Sequence, residues 1–395
     1  MSTPPPLTTE VLKVNPDDII FPPDAEQPTL NPTSATAQNL ERAAELLRKH
    51  TAPVAFPTET VYGLGAAATS TAAVRQIFAA KQRPSDNPLI VHVSSVAQLR
   101  RVLGIEVPQI YRRLVDKFWP GPLTIILPLP RGTVVSPACT PGQTTVGVRM
   151  PAHPVARALI AISDTPLAAP SANASTKPSP TTAAHVLADM AGRIPLVLDG
   201  GSCSVGVEST VVDGTVRPPA VLRPGGVSVE MIREVGGEEW KDVVVGKSEA
   251  GKHESVRTPG MKYRHYSPRA RVIVFVGAGE GGRVVKEYLE RTESSEVAVL
   301  TSKLFETSGW DDSTRSRIKT IRSLGTTGAD IARNLFAGLR DADEELQAEN
   351  SDNSKAVILV EGVSDDDEGA AIMNRLRKAA SEIYEDGEWT VKESS

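Results

Sequence analysis

Residues 55–65 read Ala-Phe-Pro-Thr-Glu-Thr-Val-Tyr-Gly-Leu-Gly, and this stretch indicates how the first part of the chain folds. The apolar residues 53–56 are typical of a strand, and they run directly into two threonines, a glutamate and a tyrosine. Ligands of α/β proteins bind where strands end. The stretch therefore predicts a strand with binding-site side chains at its end, although a threonine-capped turn has the same composition.

Further helices and strands are mixed along residues 35–240 without strict alternation. The spacing of apolar residues predicts helices at 38–49, 70–80, 154–162, 180–190 and 229–235. Strands are predicted at 89–93, 123–127, 144–149, 166–169, 195–198, 209–212 and 220–222. Because several of these strands follow one another closely, we expect an α/β fold with a twisted mixed sheet and not a strictly parallel one.

The length of 395 residues exceeds what one hydrophobic core usually organises, so we expect two domains. Residues 1–34 are acidic and rich in proline, which predicts a disordered tail. Residues 35–240 form the first domain and residues 271–390 a smaller α/β domain. Residues 241–270 are predicted to be a linker. Because residues 259–268 concentrate aromatic, basic and histidine side chains, we expect this linker to dock as a lid.

A glycine-rich turn in the second domain resembles a dinucleotide-binding motif. Residues 272–276 form an apolar strand, and Gly-Ala-Gly-Glu-Gly-Gly follows at 277–282. The next strand, 297–300, ends in Thr-Ser-Lys without the acid that would hold a ribose, and Glu280 carries the wrong charge for a pyrophosphate. A surface turn is therefore the favoured interpretation.

The composition excludes several classes of protein. Apolar residues make up 40% and charged residues 23% of the chain, as in soluble globular proteins. The two cysteines lie far apart, which excludes a disulfide framework and a cysteine-built zinc site. No apolar run reaches the ~20 residues of a membrane helix, and residues 1–20 resemble neither a signal peptide nor a transit peptide. We therefore expect a cytoplasmic protein that does not contact a membrane.

The net charge of −5 conceals an uneven distribution. Residues 35–240 contain 19 Lys and Arg against 15 Asp and Glu. Residues 1–34 contain 1 against 5, and residues 241–395 contain 23 against 28. A basic middle segment suits an anionic substrate, but ordinary surface charge and weak RNA binding are also compatible with it.

Residues 81–92 read Lys-Gln-Arg-Pro-Ser-Asp-Asn-Pro-Leu-Ile-Val-His and contain the first candidate anion site. Lys81 and Arg83 flank one residue, so both can face one pocket and bind phosphate or bicarbonate. The alternative is two solvated cations at a helix C-terminus. Asn87 precedes a proline, which favours extended backbone. His92 lies within an apolar strand, where a satisfied core histidine is more common than a ligand.

Two later strand ends carry further polar residues. Arg149 ends the apolar strand 144–149, where a charge needs a partner; a substrate carboxylate and a structural ion pair both qualify. Residues 170–173 read Pro-Ser-Ala-Asn and combine small residues with neutral hydrogen-bonding groups. Ser179 precedes Pro180, so capping of a helix is its alternative role.

The order of these motifs resembles the threonylcarbamoyl-AMP synthase family. The resemblance covers about residues 35–236 and rests on the Thr-Glu-Thr-Val-Tyr loop, Lys-x-Arg-Pro, Val-Arg-Met-Pro, Pro-Ser-Ala-Asn, Glu-Ser-Thr and Leu-Arg-Pro-Gly. Residues 259–268, 331–336 and 371–375 resemble the linker and C-terminal domain of the two-domain branch. The resemblance implies a YrdC-like twisted mixed sheet with helices, followed by a smaller Rossmann-like α/β domain.

The resemblance also implies roles for individual residues. The catalytic residues would be Lys81, Arg83, Ser171 and Asn173. L-Threonine would be held by Thr60, His92, Arg149, Ser209 and the backbone at Ala169. ATP would be held by Arg83, Asn87, Thr145, Ser171, Ser179, Arg223 and Tyr266.

The family joins L-threonine, bicarbonate and ATP into L-threonylcarbamoyladenylate and pyrophosphate, for threonylcarbamoyladenosine in tRNA. The resemblance thus implies a nucleotidyltransferase that uses Mg²⁺ with ATP, has no nicotinamide or flavin cofactor, and supplies a tRNA-threonylcarbamoyl transferase complex. The amine of threonine is the nucleophile, so the protein contributes positioning and electrostatics. Two alternatives are an RNA-binding module of the same fold without synthase activity and a relative that hydrolyses a finished adenylate.

Overall fold

The computed structural model describes residues 7–23, 25–246, 265–277, 279, 281–294, 296–305, 310–348 and 355–392. The chain divides into two compact units, Met1–Ser175 with Ser179–Lys262 and Thr176–Pro178 with Tyr263–Ser395. Of the predicted linker and lid, residues 247–264 lie outside the described residues. Residues 241–246 are described and contain a short strand, so this part of the segment continues the first unit.

The first unit contains a mixed sheet. Its strands are β1 (Glu10–Lys13), β2 (Val54–Phe56), β3 (Gly63–Ala67), β4 (Val91–His92), β5 (Leu123–Pro128), β6 (Thr145–Arg149), β7 (Leu167–Ala168), β8 (Leu196–Asp199), β9 (Thr210–Asp213), β10 (Ala220–Arg223) and β11 (Val244–Val245). Within the described residues their order is β1-β8-β2-β3-β7-β4-β6-β5-β9-β10-β11. β4 pairs parallel to β6 and antiparallel to β7, which confirms the predicted mixed sheet.

Helices cover this sheet. They are α1 (Ala35–Arg48), α2 (Thr71–Lys81), α3 (Val96–Leu103), α4 (Arg112–Phe118), α5 (Pro154–Ser163), α6 (Ala183–Met190) and α7 (Val229–Gly236). α1 begins after Ser34, whose hydroxyl accepts a hydrogen bond from the Ala37 N–H at 3.1 Å. Its buried Leu40, Ala43 and Leu47 recur at helical spacing and pack in one core cluster with residues of α5.

The predicted disorder of residues 1–34 is wrong for the part that the structure describes, residues 7–23 and 25–34. β1 pairs in parallel with β8, placing Glu10 opposite Leu196. Val14 and Ile19 are buried in the same core cluster as α1. A strand at a sheet edge satisfies half of its backbone groups through its single neighbour, and prolines are tolerated around it. The apolar residues between the prolines are too few to reveal this pairing in the sequence.

The second unit has a largely parallel sheet with helices. Its strands are β12 (Arg271–Val276), β13 (Glu296–Thr301), β14 (Ile318–Ser323), β15 (Ala356–Glu361), β16 (Glu382–Glu385) and β17 (Glu388–Val391), in the order β14-β13-β15-β12-β16-β17. Its helices are α8 (Gly282–Glu290), α9 (Asp312–Arg317), α10 (Gly328–Ala348) and α11 (Glu368–Ala379). Only β17 pairs antiparallel in this described sheet, which agrees with the Rossmann-like expectation.

Among the described residues, no helix combines the length and the apolar character that crossing a membrane requires.

Candidate active site

Neighbouring strands align the side chains that were predicted to hold threonine. His92 of β4 lies opposite Arg149 of β6, and Arg149 lies opposite Thr124 of β5. Ser209 directly precedes β9, and its hydroxyl is 2.8 Å from that of Thr124. Ala169 follows β7, which pairs with β4 on the side opposite to β6. The register aligns His92, Arg149 and Thr124 across the sheet. Ser209 joins them through the Thr124 hydroxyl, and Ala169 lies two residues beyond Leu167, the residue opposite His92. These residues are called the row below.

The loop after β2 adds hydroxyl groups to this row. The Thr58 hydroxyl accepts the N–H groups of Thr60 and Val61, each at 3.2 Å, and donates to the Val61 carbonyl at 2.6 Å. The hydroxyls of Thr58 and Thr60 are 2.8 Å apart. This turn is tied by threonines, as the alternative interpretation proposed, and it also aims Thr60 at the site. The threonine-tied turn is therefore confirmed, and the binding role of the loop stays a prediction.

Arg149 is held by three groups of the protein. Its Nε donates to the Gly121 carbonyl at 3.1 Å, its Nη1 to the Thr60 hydroxyl at 2.9 Å, and its Nη2 to Glu59 Oε1 at 2.6 Å. The side chains of Arg149 and Glu59 are only 5% and 8% exposed. The structural ion pair considered for Arg149 is therefore present, and it lies within the row of predicted threonine-binding residues.

His92 is uncharged at neutral pH. Burial, aided by the positive charge of Arg149, lowers the pKa of His92 to about 3. Its Nδ1 lies 3.3 Å from the carbonyl oxygen of Ile90. His92 therefore offers a hydrogen-bonding group beside Arg149 without a second positive charge.

Three of the four predicted catalytic residues form a cluster in which Lys81 and Asn173 are buried and Ser171 is half-buried. Lys81 ends α2, and its Nζ donates to the carbonyl oxygens of Ser171 and Asn173, the latter at 2.7 Å. The Ser171 hydroxyl donates to Asn173 Oδ1 at 2.5 Å. Ser171 lies two residues after Ala169 on the same strand end. This segment connects the lysine cluster with the row on the sheet.

Arg83 and Asn87 follow α2 on the loop that leads to β4. Gln82 adopts a left-handed conformation with φ of 51° and ends the helix, and half-buried Arg83 comes next. Asn87 is 1% exposed, yet its Oδ1 and Nδ2 have no hydrogen-bond partner among the described residues. Because buried polar atoms are normally paired, this amide indicates a place for a ligand.

Ser179 does not cap a helix, which corrects the alternative role considered for it. α6 begins at Ala183, and the hydroxyl of Thr182 accepts the His185 N–H at 3.2 Å as the cap. The Ser179 hydroxyl instead donates to Glu208 Oε1 at 2.7 Å, and both residues are buried. The Ser-Pro signal for a helix start was outweighed by this tertiary contact.

Arg223 lies against the row through Ser209. Its Nη2 donates to the carbonyl oxygen of Ser209 at 3.0 Å and to the hydroxyl at 3.2 Å. The adjoining chain is very close: a Cβ on Gly225 would lie 2.3 Å from the Glu208 carbonyl oxygen. Glycine is therefore required where the Leu-Arg-Pro-Gly motif passes the Glu-Ser-Thr motif.

Thr145, one of the predicted nucleotide contacts, lies away from this row. Thr145 begins β6, four residues from Arg149 on the same face, so about 13 Å separate them along the strand. Tyr266 belongs to the second unit, where it is buried and its ring stacks on Phe336 with centroids 5.1 Å apart. The structure therefore does not bring Thr145 next to the row, and the role of Tyr266 stays a prediction.

The sequence reasoning missed two buried carboxylates, Glu59 and Glu208. Both lie inside the quoted motifs, and each holds a predicted site residue, Arg149 or Ser179. The available signal was a glutamate between hydroxyl-bearing residues at the end of a strand. An exposed carboxylate adds little stability at such a position, so a buried partner was the better expectation. Their partners lie 90 and 29 residues away, so no local pattern identifies them.

Comparison with known families gives matches over both units. A family model described as "Telomere recombination" matches residues 46–225. A second model, described as "Threonylcarbamoyl-AMP synthase, C-terminal domain", matches residues 227–381. Together they span the two units that the fold separates.

Relatives resemble the chain over most of its length. The threonylcarbamoyl-AMP synthase of Schizosaccharomyces pombe is 50% identical over 383 residues, 90% of this chain and 91% of that protein. The one of Pyrococcus abyssi is 47% identical over 331 residues, 83% and 90% of the two chains. The crystal structure of P. abyssi Sua5 complexed with L-threonine has a TM-score of 0.77 at 41% identity, covering 94% of this chain and 98% of that one.

Proposed function

The chain belongs to the threonylcarbamoyl-AMP synthase family, and on this premise we infer that it forms L-threonylcarbamoyladenylate from L-threonine, bicarbonate and ATP. Pyrophosphate is the second product. The observation that carries the inference is the row of Arg149, neutral His92 and Ser209 on one sheet, continuous through Ala169 with the Lys81 cluster. A carboxylate and a phosphate-bearing reactant would meet where these two groups of residues join.

Threonine occupies the row in this proposal. Its carboxylate binds Arg149. Its amine and hydroxyl groups contact Thr60, His92 and Ser209, and its Cα lies along the backbone at Ala169, where the strand ends. Neutral His92 suits this role, because a second cation beside Arg149 would bind anions in general and not a zwitterion. The crystal structure of the P. abyssi relative complexed with L-threonine supports the choice of substrate.

The chemistry then needs two steps that the protein assists by positioning. The ammonium group of threonine first releases one proton to solvent. The amine then bonds to the carbon of bicarbonate, the C–OH bond of bicarbonate breaks, and the hydroxide leaves as water with a second proton of the amine as the carbamate forms. A carbamate oxygen attacks the α-phosphorus, the bond from that phosphorus to the bridging oxygen breaks, and pyrophosphate leaves. Lys81 and Arg83 offset the negative charge that these reactants bring together, and Ser171 and Asn173 align them.

ATP extends from that cluster. We assign its phosphates and ribose to Arg83, Asn87, Ser171, Ser179 and Arg223, and Thr145 and Tyr266 remain predicted nucleotide-binding residues. The unpaired buried amide of Asn87 supports a polar ligand at this place.

Mg²⁺ is proposed to enter with the nucleotide. The described residues contain no group of three or more His, Cys, Asp or Glu side chains placed to hold a metal ion. In this proposal phosphate oxygens and water provide most of the Mg²⁺ ligands, as is usual for this ion. The ion supplies charge neutralisation on the triphosphate. We also propose that the adenylate passes to a tRNA-threonylcarbamoyl transferase complex.

The decisive experiment measures pyrophosphate release from ATP while threonine or bicarbonate is omitted in turn. We expect release only when both are present. Release without threonine would indicate another acceptor amine. No release from ATP, together with formation of AMP from an added adenylate, would indicate an adenylate hydrolase. Absence of release together with salt-dependent RNA binding would indicate an RNA-binding module. The identities of 43–50% with synthases over most of the chain favour the synthase over that module.

A further inference from the structure

Arg149 uses some of its hydrogen-bond donors within the protein and leaves others. A guanidinium has five N–H donors. Among the described residues, Gly121, Thr60 and Glu59 take one donor each, from Nε, Nη1 and Nη2 respectively. One N–H therefore remains on each terminal nitrogen. Two donors of this kind are what a carboxylate requires for a bidentate contact.

Glu59 fixes which donors remain. Its Oε1 accepts from Arg149 at 2.6 Å, and its Oε2 accepts from the Ala152 N–H at 3.1 Å. Its carbonyl oxygen accepts from the Val205 N–H at 2.8 Å. Both carboxylate oxygens and the backbone carbonyl of Glu59 are thus hydrogen-bonded. Because the Arg149 guanidinium is hydrogen-bonded to this fixed carboxylate, Glu59 sets the direction in which the remaining N–H donors of Arg149 point.

Glu59 also sets the charge of the row. Glu59 and Arg149 are buried and of opposite sign, and His92 is neutral, so these three groups carry no net charge. A bare carboxylate that approaches Arg149 is repelled by Glu59, whereas a zwitterion brings an ammonium group that is attracted to it. Buried charges interact strongly because water does not screen them.

We propose that Glu59 is a positioning and specificity-determining residue that orients Arg149 and restricts this site to zwitterionic amino acids. The proposal rests on the proposed function, because it concerns the threonine end of that site. It assigns no proton transfer to Glu59. It explains why an acid stands among hydroxyl groups in the loop after β2.

The test compares L-threonine with 3-hydroxybutanoate, which keeps the carboxylate and hydroxyl but lacks the amine. Calorimetry gives the Kd of each for the full-length wild type, Glu59→Gln and Glu59→Asp. The matched control is Glu45→Gln, which removes an exposed acid paired with Lys49 on α1. Pyrophosphate assays on the same proteins give the KM values of threonine and ATP.

We expect Glu59→Gln to raise the Kd and KM of threonine about tenfold, with the KM of ATP changed less than about twofold. The Kd of 3-hydroxybutanoate should stay equal or fall, so that the selectivity for the zwitterion collapses. Glu59→Asp keeps the charge and should keep the selectivity even if both ligands bind more weakly. Glu45→Gln should match the wild type.

Equal weakening of both ligands in Glu59→Gln, or an unchanged threonine Kd, would overturn the proposal and leave a structural ion pair. If Glu59→Gln does not fold, as judged by circular dichroism, the selectivity of Glu59→Asp decides alone: its loss overturns the proposal. Because the binding ratio requires no turnover, a wild type that binds threonine but releases no pyrophosphate contradicts the proposed function and not this inference.

Discussion

Replacing Asn87 with leucine should stabilise the protein and weaken ATP binding at once. The amide is 1% exposed, and neither Oδ1 nor Nδ2 has a partner among the described residues. A buried polar atom without a partner costs about 1–3 kcal/mol, whereas an apolar group of the same shape avoids this cost. Because water can satisfy part of the amide, we expect the free energy of unfolding to rise by about 1–2 kcal/mol in Asn87→Leu.

For a unit of this size, that gain corresponds to a rise in Tm of about 2–6 °C. The KM of ATP should rise about tenfold or more, because two hydrogen bonds to the ligand are lost. Thermal unfolding followed by circular dichroism gives the first quantity, and pyrophosphate release at varied ATP gives the second.

Asn173→Leu is the matched control for this prediction. The same substitution there removes Oδ1, which accepts hydrogen bonds from the Ser171 hydroxyl at 2.5 Å and from Lys81 Nζ at 3.4 Å. It should lower Tm where Asn87→Leu raises it. A lower Tm in Asn87→Leu, or an unchanged KM for ATP, would refute the idea that the Asn87 amide is unpaired in the free protein and binds ATP.

Three further predictions concern charge, pH and the N-terminal strand. Lys81→Ala should abolish pyrophosphate release while circular dichroism still shows a folded protein, because the ammonium group beside the Ser171 and Asn173 carbonyls is lost. Near wild-type turnover would contradict the assigned role. The folded pKa of His92 lies near 3, below its ordinary 6.5, so its contribution to stability is present above pH 6.5 and is lost as pH falls towards 3, by up to about 1.4 kcal/mol per unit. Urea unfolding between pH 4 and 8 should therefore show a flatter profile in His92→Gln, and parallel profiles would disprove this. Deletion of residues 1–14 should lower Tm because β8 loses β1, one of its two neighbours, and buried Val14 is removed; an unchanged Tm would mean that β1 does not support the fold.

The strands of the site were predictable from the sequence, but their register was not. Apolar runs ending in polar residues located β2, β4 and β6 to within a few residues. That His92 faces Arg149 in a parallel pair depends on two segments 57 positions apart, joined only by tertiary packing. A shift by one residue would turn either side chain to the other face of the sheet. The row of residues therefore needed the structure.

Local signals failed where a distant partner decided the outcome. Ser179 before Pro180 has the composition of a helix start, yet its hydroxyl binds Glu208 and the helix begins at Ala183. The sequence allowed either a substrate carboxylate or an ion pair as the partner of Arg149. The structure contains the ion pair with Glu59, and the described residues do not use every N–H donor of Arg149. In both cases the deciding group is a glutamate in a different motif, which spacing alone cannot connect.

The second unit shows how a weak motif is judged by its surroundings. Its glycine-rich turn suggested a dinucleotide, and the absence of an acid after β13 argued against one. In the structure the carboxylate of Glu361, at the end of β15, accepts the backbone N–H groups of residues 302–305 over distances from 2.5 to 3.1 Å. These four donors form the kind of concavity that binds anions, and an internal carboxylate already fills it. These four N–H groups are therefore unavailable to a ligand phosphate. They connect the segment after β13 to the end of β15 within the same sheet.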